Sequence, residues 1–181
     1  MDLEHKFARL GEGLSVADGH VIEGYASVFG AVDQGNDVVE RGAYAASLKA
    51  VNARGGTIKM LWQHDPAQPI GVWDEVREDD KGLWVKGRLL TDLAKGREAA
   101  ALIAAGAIDG LSIGYRTIKS RKDDMGRRLL SELELWEVSL VTFPMLPQAR
   151  VAAKGDDPEA AILRDVASVF RAARCLLATD D

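Results

Sequence analysis

The sequence predicts an α+β fold that is mainly β: a closed or nearly closed, antiparallel-rich β-barrel of about six or seven strands with a few helices around it. A chain of 181 residues has the size of one ordinary domain. Short apolar runs alternate with turn-rich segments along most of its length, which is typical of strands. A small chain with many strands removes its exposed sheet edges most economically by curling into a barrel.

Composition restricts the classes of partner and cofactor. The chain has 47% hydrophobic residues, and 23 Lys and Arg against 28 Asp and Glu give a net charge of -5, the wrong sign for a nucleic-acid binder. The longest apolar stretch, residues 99–108, is too short to span a membrane, and residues 1–10 do not resemble a secretory signal, so we expect action in the cytoplasm. With one cysteine, Cys175, and three histidines, no disulfide, metal or other cofactor is expected.

Apolar runs bounded by turn-rich segments predict six strands, and two helical segments lie between them. The predicted strands are 20–29, 57–63, 70–77, 83–90, 111–118 and 128–141, and the predicted helices are 42–48 and 93–105. Gly106 is expected to end the second helix. Asp65-Pro66 is expected to separate the second and third strands as a loop.

Three segments are predicted along the chain. Residues 1–19 form an N-terminal extension, residues 20–152 the barrel domain, and residues 153–181 a C-terminal helical appendage. A composition shift near Lys154 marks the last boundary. Apolar residues recur at helical spacing beyond Pro158, so we expect a terminal helix that buries this stripe against the barrel or a second subunit.

His64 is the strongest candidate for a general base. It ends the apolar run that begins at Met60, and a strand end at the rim of a barrel is a natural place for a site. The histidine could equally do no more than finish the strand, half exposed. His5, in a terminus expected to be loose, and His20, in a turn, are weaker candidates.

Ser112 is the candidate nucleophile. Gly110 and Gly114 flank it two positions away on either side, which would let another backbone, such as a substrate strand, approach its hydroxyl. The alternative is a small residue that relieves crowding inside a barrel strand. Ser139, between Val138 and Leu140, is the rival and has the surroundings of a buried strand serine.

Glu137 is the candidate carboxylate. Strict alternation places it on the same face as Leu135, Ser139 and Val141. An ionised group there should either face water or accept a hydrogen bond from a donor such as an imidazole N–H. Glu132 and Glu134 are alternatives, but they lie nearer the predicted hairpin, where solvation explains them.

An ordered succession of motifs between Val21 and Val151 resembles the prohead protease family of tailed bacteriophages and related gene transfer agents. The motifs are Glu23–Phe29, Asp37 with Gly42–Tyr44 and Ser47–Leu48, Leu61–His64, Pro69–Val72, Lys81–Leu83, Gly110–Tyr115, and Leu135–Val141 with Pro144. That family is similar in turn to the herpesvirus maturation protease assemblin, a β-barrel ringed by helices with a serine nucleophile. The resemblance therefore implies an assemblin-like barrel.

The resemblance also implies catalytic roles. The family's serine falls on Ser112, its histidine on His64 and its acidic residue on Glu137. Backbone N–H groups near residues 144–150 would be the oxyanion donors.

The activity implied is that of a serine endopeptidase that acts inside the immature capsid in the bacterial host. It would cleave scaffold or the scaffold-like N-terminal region of the major capsid protein, and a homodimer is the expected assembly. Two alternatives stay open. One is a non-catalytic internal scaffold component with the same fold, and the other is a generic esterase, which ester-against-peptide turnover would distinguish.

Overall fold

The computed structural model describes the backbone of residues 4–8, 10–17, 20–143 and 149–152, and the side chains of residues 20–143. These residues form ten strands and two helices. In chain order they are β1 (Glu4–Ala8), β2 (Leu10–Ala17), β3 (Val21–Val28), β4 (Asp37–Val39), α1 (Ala45–Ala53), β5 (Lys59–Trp62), β6 (Asp65–Glu78), β7 (Gly82–Leu89), α2 (Ala94–Ala104), β8 (Gly110–Lys122), β9 (Arg128–Val141) and β10 (Ala149–Ala152).

All ten strands belong to one curled sheet. Its order is β1-β8-β9-β5-β6-β7-β3-β2-β10, and β4 pairs with β9 in addition. Most neighbours are antiparallel, while β5 and β4 run parallel to β9, and β10 runs parallel to β2. The curl brings β1 close to β3, and β10 close to β8. The predicted mainly β, nearly closed barrel with peripheral helices is therefore confirmed, with more strands than the sequence predicts.

Two of the additional strands lie in the segment that the sequence assigns to an N-terminal extension. β1 pairs with β8, and β2 pairs with β3, so both are part of the sheet. The predicted terminal helix beyond Pro158, including Cys175, lies outside the described residues.

The barrel interior is filled by apolar side chains that alternate along the strands. Its fully buried members include Ile22, Ile70, Leu83, Val85, Ile113, Leu130, Val138 and Leu140. Burial of each such side chain contributes about 1.5–3 kcal/mol. Trp73 is part of this core, and its one polar side-chain atom is satisfied there, because Nε1–H donates to the Val138 carbonyl at 3.1 Å. This hydrogen bond links the core to the backbone of β9.

A β-bulge interrupts β9 at Trp136. Gly114 pairs with Glu137 and the next residue of β8, Tyr115, pairs with Leu135, so Trp136 is the extra residue and its side chain is 43% exposed. Leu135 faces the core, and after the bulge Val138 takes over the core face. Because of this extra residue, each later residue of β9 faces the side of the sheet opposite to the one that strict alternation predicts. Strict alternation, which places Glu137 on the face of Leu135, is therefore wrong at that point.

Both helices pack on the barrel; α2 ends where its sequence predicts, whereas α1 begins and ends later than the predicted range 42–48. In α2, Gly106 has φ +69°, its N–H donates to the Ile103 carbonyl, and the Ala107 N–H donates to the Leu102 carbonyl, which is a Schellman motif. In α1, the buried Ser47 Oγ accepts the Leu135 N–H at 2.9 Å, beside the β9 bulge. No helix within the described ranges is long and apolar enough to cross a membrane.

Candidate active site

Three of the residues singled out in the sequence lie on one face of the sheet, opposite the hydrophobic core. Ser112 and Ser139 pair directly across β8 and β9, and Glu137 lies two residues from Ser139 on the same face. Their neighbours Leu111, Ile113, Val138 and Leu140 point into the core instead. Ser112, Glu137 and Ser139 are nevertheless buried. The candidate site is thus a buried polar cluster on the outer face of the barrel wall.

Glu137 connects two other side chains of this cluster. Its Oε1 lies 2.5 Å from Nδ1 of His64, and its Oε2 accepts a short hydrogen bond from the Ser139 hydroxyl. The His64 and Glu137 side chains are mostly buried. A charge-assisted pair in such surroundings is stronger than one in water, so the imidazole is held in a defined orientation.

His64 occupies a tight turn and not the end of a strand. Trp62 pairs with Asp65, so Gln63 and His64 alone connect β5 to β6. Their φ values are +52° and +62°, and two consecutive positive values are the signature of a type I′ hairpin. The expectation that Asp65-Pro66 forms a separating loop is therefore wrong: Asp65 is already the first residue of β6.

Gln63 ties this turn to the end of β9. Its backbone N–H donates to the Leu140 carbonyl at 2.9 Å. Its side chain makes two further hydrogen bonds, from Nε2 to the Thr142 hydroxyl at 2.6 Å and from the Thr142 N–H to Oε1 at 3.3 Å. A non-glycine residue at positive φ is strained, so these bonds help to hold the turn that carries His64. Sequence reasoning missed Gln63, although its position directly before His64 was the available signal.

Ser112 lies near the start of β8 with neighbouring strands on both sides. Ser139 of β9 is opposite it on one side and Phe7 of β1 on the other. The backbone beside β8 on that second side is thus part of the same chain. Gly114 has a different role from the one expected, because a β-carbon there would overlap the Glu137 carboxylate. Gly114 thus leaves room for the Glu137 side chain.

Of the alternative candidates, Glu132 and Glu134 lie toward the hairpin end of β9, whereas His5 pairs with Gly114 directly beside the cluster. Glu134 forms an ion pair with Arg116 at 2.6 Å, and Glu132 forms one with Lys119. Both pairs join β9 to β8. The His20 carbonyl accepts the Leu89 N–H in the turn before β3. His5 lies in β1, opposite Gly114, and not in a loose terminus.

Two further expectations concern metals and the oxyanion donors. Within the part of the chain that the structure describes, no three His, Cys, Asp or Glu residues are grouped so that they could hold a metal ion. Residues 144–148, the first part of the segment expected to supply oxyanion donors, lie outside the described residues, and Ala149 and Arg150 belong to β10.

In fold, the chain is similar to a viral capsid assembly protease. The solved structure of the bacteriophage T4 capsid assembly protease superposes with a TM-score of 0.61 at 20% sequence identity, over 79% of this chain and 98% of that one. The chain belongs to the caudovirus prohead serine protease family, whose model matches residues 10–161.

Two phage proteins are similar in sequence. The prohead protease of Enterobacteria phage HK97 is 32% identical over 157 residues, which is 83% of this chain and 67% of that protein. The capsid polyprotein of Pseudomonas phage PAJU2 is 33% identical over 104 residues, 53% of this chain but only 15% of the polyprotein.

Proposed function

We propose that this chain is a serine endopeptidase of head maturation in which Ser112 is the nucleophile, His64 the general base and Glu137 the residue that orients His64. The observation that carries this assignment is the 2.5 Å contact between His64 Nδ1 and Glu137 Oε1, on the face of the sheet that also carries Ser112. Membership of a serine protease family supports the reaction class.

In this proposal each nitrogen of the His64 ring has its own task. With Nδ1–H donating to Glu137, Nε2 is the nitrogen that accepts the Ser112 proton as Oγ attacks the scissile carbonyl. The proton then passes to the leaving amine, and an ester bond joins the substrate acyl group to Ser112. Water, deprotonated by the same nitrogen, hydrolyses that ester and restores the hydroxyl. Glu137 stabilises the imidazolium that forms in both halves of the reaction.

Glu137 is suited to this role by its surroundings. The carboxylate is buried, so the surrounding dielectric is lower than in water and its attraction to a charged imidazole is strengthened. Ionised Glu137 accepts hydrogen bonds and donates none, which selects the His64 tautomer that carries its proton on Nδ1.

The proposed substrate is scaffold or the scaffold-like N-terminal region of the major capsid protein, cut inside the immature capsid in the host cytoplasm. The relatives support this choice, because one is named a prohead protease and the other a capsid polyprotein. A net charge of -5 suits a protein substrate better than DNA.

We also propose a homodimer formed through the predicted terminal helix. Sedimentation at several concentrations tests it, and a fully active strict monomer would contradict it.

Co-expression with the major capsid protein of the same particle, followed by mass measurement of that protein, tests the function. Wild type should shorten it, and Ser112→Ala should reduce cleavage by about 10⁴-fold or more, as triad knockouts do. Ser131→Ala is the matched control, because Ser131 is an exposed serine of β9. Particle assembly with no cleavage by wild type would favour the non-catalytic scaffold role. Turnover of esters without capsid cleavage would favour an esterase.

A further inference from the structure

Ser139 is the one member of the buried cluster to which the proposed mechanism gives no task. It has no exposed surface, and it pairs across the strands with Ser112. Its hydroxyl does not point away from the cluster, because its Oγ donates to Glu137 Oε2. Each oxygen of the Glu137 carboxylate thus has its own donor: Ser139 for Oε2 and His64 for Oε1.

The conformation of Glu137 depends on this hydrogen bond. Residues two apart in a strand share a face but stand roughly 6–7 Å apart along the chain, so the Glu137 side chain must lean along β9 to reach Ser139. Gly114 provides the space into which the carboxylate leans. Without Ser139, the side chain could turn about its last bond or lean elsewhere, and Oε1 would no longer be fixed on the imidazole.

On the basis of the function proposed above, we propose that Ser139 is a positioning residue: it holds the Glu137 carboxylate so that Oε1 faces His64 Nδ1. The bond also replaces part of the hydration that a buried carboxylate loses. In this arrangement Ser139 donates its hydroxyl proton to Glu137, while Ser112 is the proposed nucleophile. The two serines are neighbours with different tasks.

Kinetics of Ser139→Ala provide the first test. A hydrogen bond to a charged group is strong enough that we expect kcat to fall about 10- to 100-fold, with KM within about twofold of wild type. Ser131→Ala, on the exposed part of the same strand, should leave both constants unchanged. A variant with unchanged kcat would overturn the positioning role, and so would a loss confined to KM.

A double-mutant cycle separates positioning from simple structural support. If Ser139 acts only through Glu137, adding Ser139→Ala to Glu137→Gln should lower kcat by less than about threefold further. A structural defect would instead multiply the two losses, and full multiplication would overturn the assignment.

A spectroscopic measurement keeps this test independent of the protease function. In a Ser112→Ala background, the His64 Nδ1 proton can be followed by NMR, and the chain has only three histidines to assign. Ser139→Ala should shift or broaden that signal, since Oε1 is no longer fixed on it, whereas Ser131→Ala should not. An unchanged signal overturns the positioning role. If capsid cleavage is absent from wild type but the signal responds, the proposed function fails and the Ser139–Glu137–His64 arrangement stands.

Discussion

Gly114 and Glu137 face each other across β8 and β9 so closely that a β-carbon at position 114 would overlap Glu137 Oε1. The same oxygen contacts His64 Nδ1. The missing side chain at position 114 is thus part of the site, because the carboxylate occupies the volume that an alanine methyl would fill.

Gly114→Ala should therefore impair catalysis more than folding. The methyl group displaces the Glu137 carboxylate from His64, and we expect cleavage to fall by about 10²-fold or more, toward the loss expected when a base is misoriented. Gly56→Ala is the matched control, since a β-carbon there meets only ordinary contacts at 3.5 Å or more. Cleavage rates and thermal unfolding of both variants check this. Wild-type activity in a folded Gly114→Ala protein would contradict it.

Glu137→Gln should lower cleavage by about 10²- to 10⁴-fold with little loss of stability. The amide keeps the shape of the side chain but can donate as well as accept, so the His64 tautomer is no longer dictated. Single-turnover cleavage of the capsid protein measures this effect.

The controls are Glu132→Gln and Glu134→Gln, whose carboxylates form ion pairs with Lys119 and Arg116 of β8. Both should stay near wild type. A large loss in one of them, with near-normal activity in Glu137→Gln, would move the acidic role to that residue.

The residue types of this site could be predicted from the sequence more readily than their geometry. Alternation along β9 predicts the strand 128–141 with the bounds that the structure shows. It cannot reveal the bulge at Trp136, because a bulge depends on a partner strand and on Ser47 of a distant helix, which accepts the Leu135 N–H. Without that bulge, Glu137 and Ser139 would point into the hydrophobic core.

The turn at His64 could not be predicted from the sequence, for a similar reason. Type I′ turns are recognised in sequences by Asn and Gly, and neither occurs in Gln63-His64. Asp65-Pro66 is itself a strong turn signal, so local reasoning placed the turn two residues too late. The contact between Gln63 and Thr142, 79 residues apart in sequence, supports the observed conformation, and no local pattern encodes it.

β1 and β2 could not be predicted because their segment has weak strand patterning and its pairing with β8 and β3 is long-range.

Gln63→Ala should reduce kcat by about 10-fold, because the turn that carries His64 loses its side-chain bonds to Thr142. Thr142→Val, which removes the hydroxyl and keeps the backbone N–H, should show a smaller loss in the same direction. Gln68→Ala is the matched control, since the Gln68 side chain donates to Asp65, on the other side of the turn from Thr142. Steady-state kinetics decide the outcome. Equal effects of Gln63→Ala and Gln68→Ala would show that Gln63 has no special role in placing His64.

Asp79 lies in the turn between β6 and β7, and its carboxylate accepts hydrogen bonds from the backbone of that turn. Its Oδ1 accepts the N–H groups of Lys81 and Gly82 at 2.9 and 3.0 Å. Its Oδ2 accepts the Tyr25 hydroxyl and Arg77 Nη1, both at 2.8 Å. Burial by itself would raise the pKa of Asp79, but these four donors outweigh it and hold the pKa below its ordinary value.

Asp79→Asn should destabilise the fold by about 1–3 kcal/mol at pH 7, because an amide nitrogen replaces one acceptor oxygen among four donors. A carboxyl whose pKa is lower in the folded state stabilises the fold at pH values above its unfolded pKa of about 3.9, and this contribution disappears as the pH falls through the lower folded pKa. The difference in unfolding free energy between wild type and Asp79→Asn should therefore be largest near neutrality and shrink below about pH 4. Asp80→Asn is the control, since Asp80 is almost fully exposed and forms a surface ion pair with Arg41. Urea unfolding of the three proteins at several pH values measures both differences, and a difference for Asp79→Asn that stayed constant or grew toward low pH would show that its charge does not stabilise this turn.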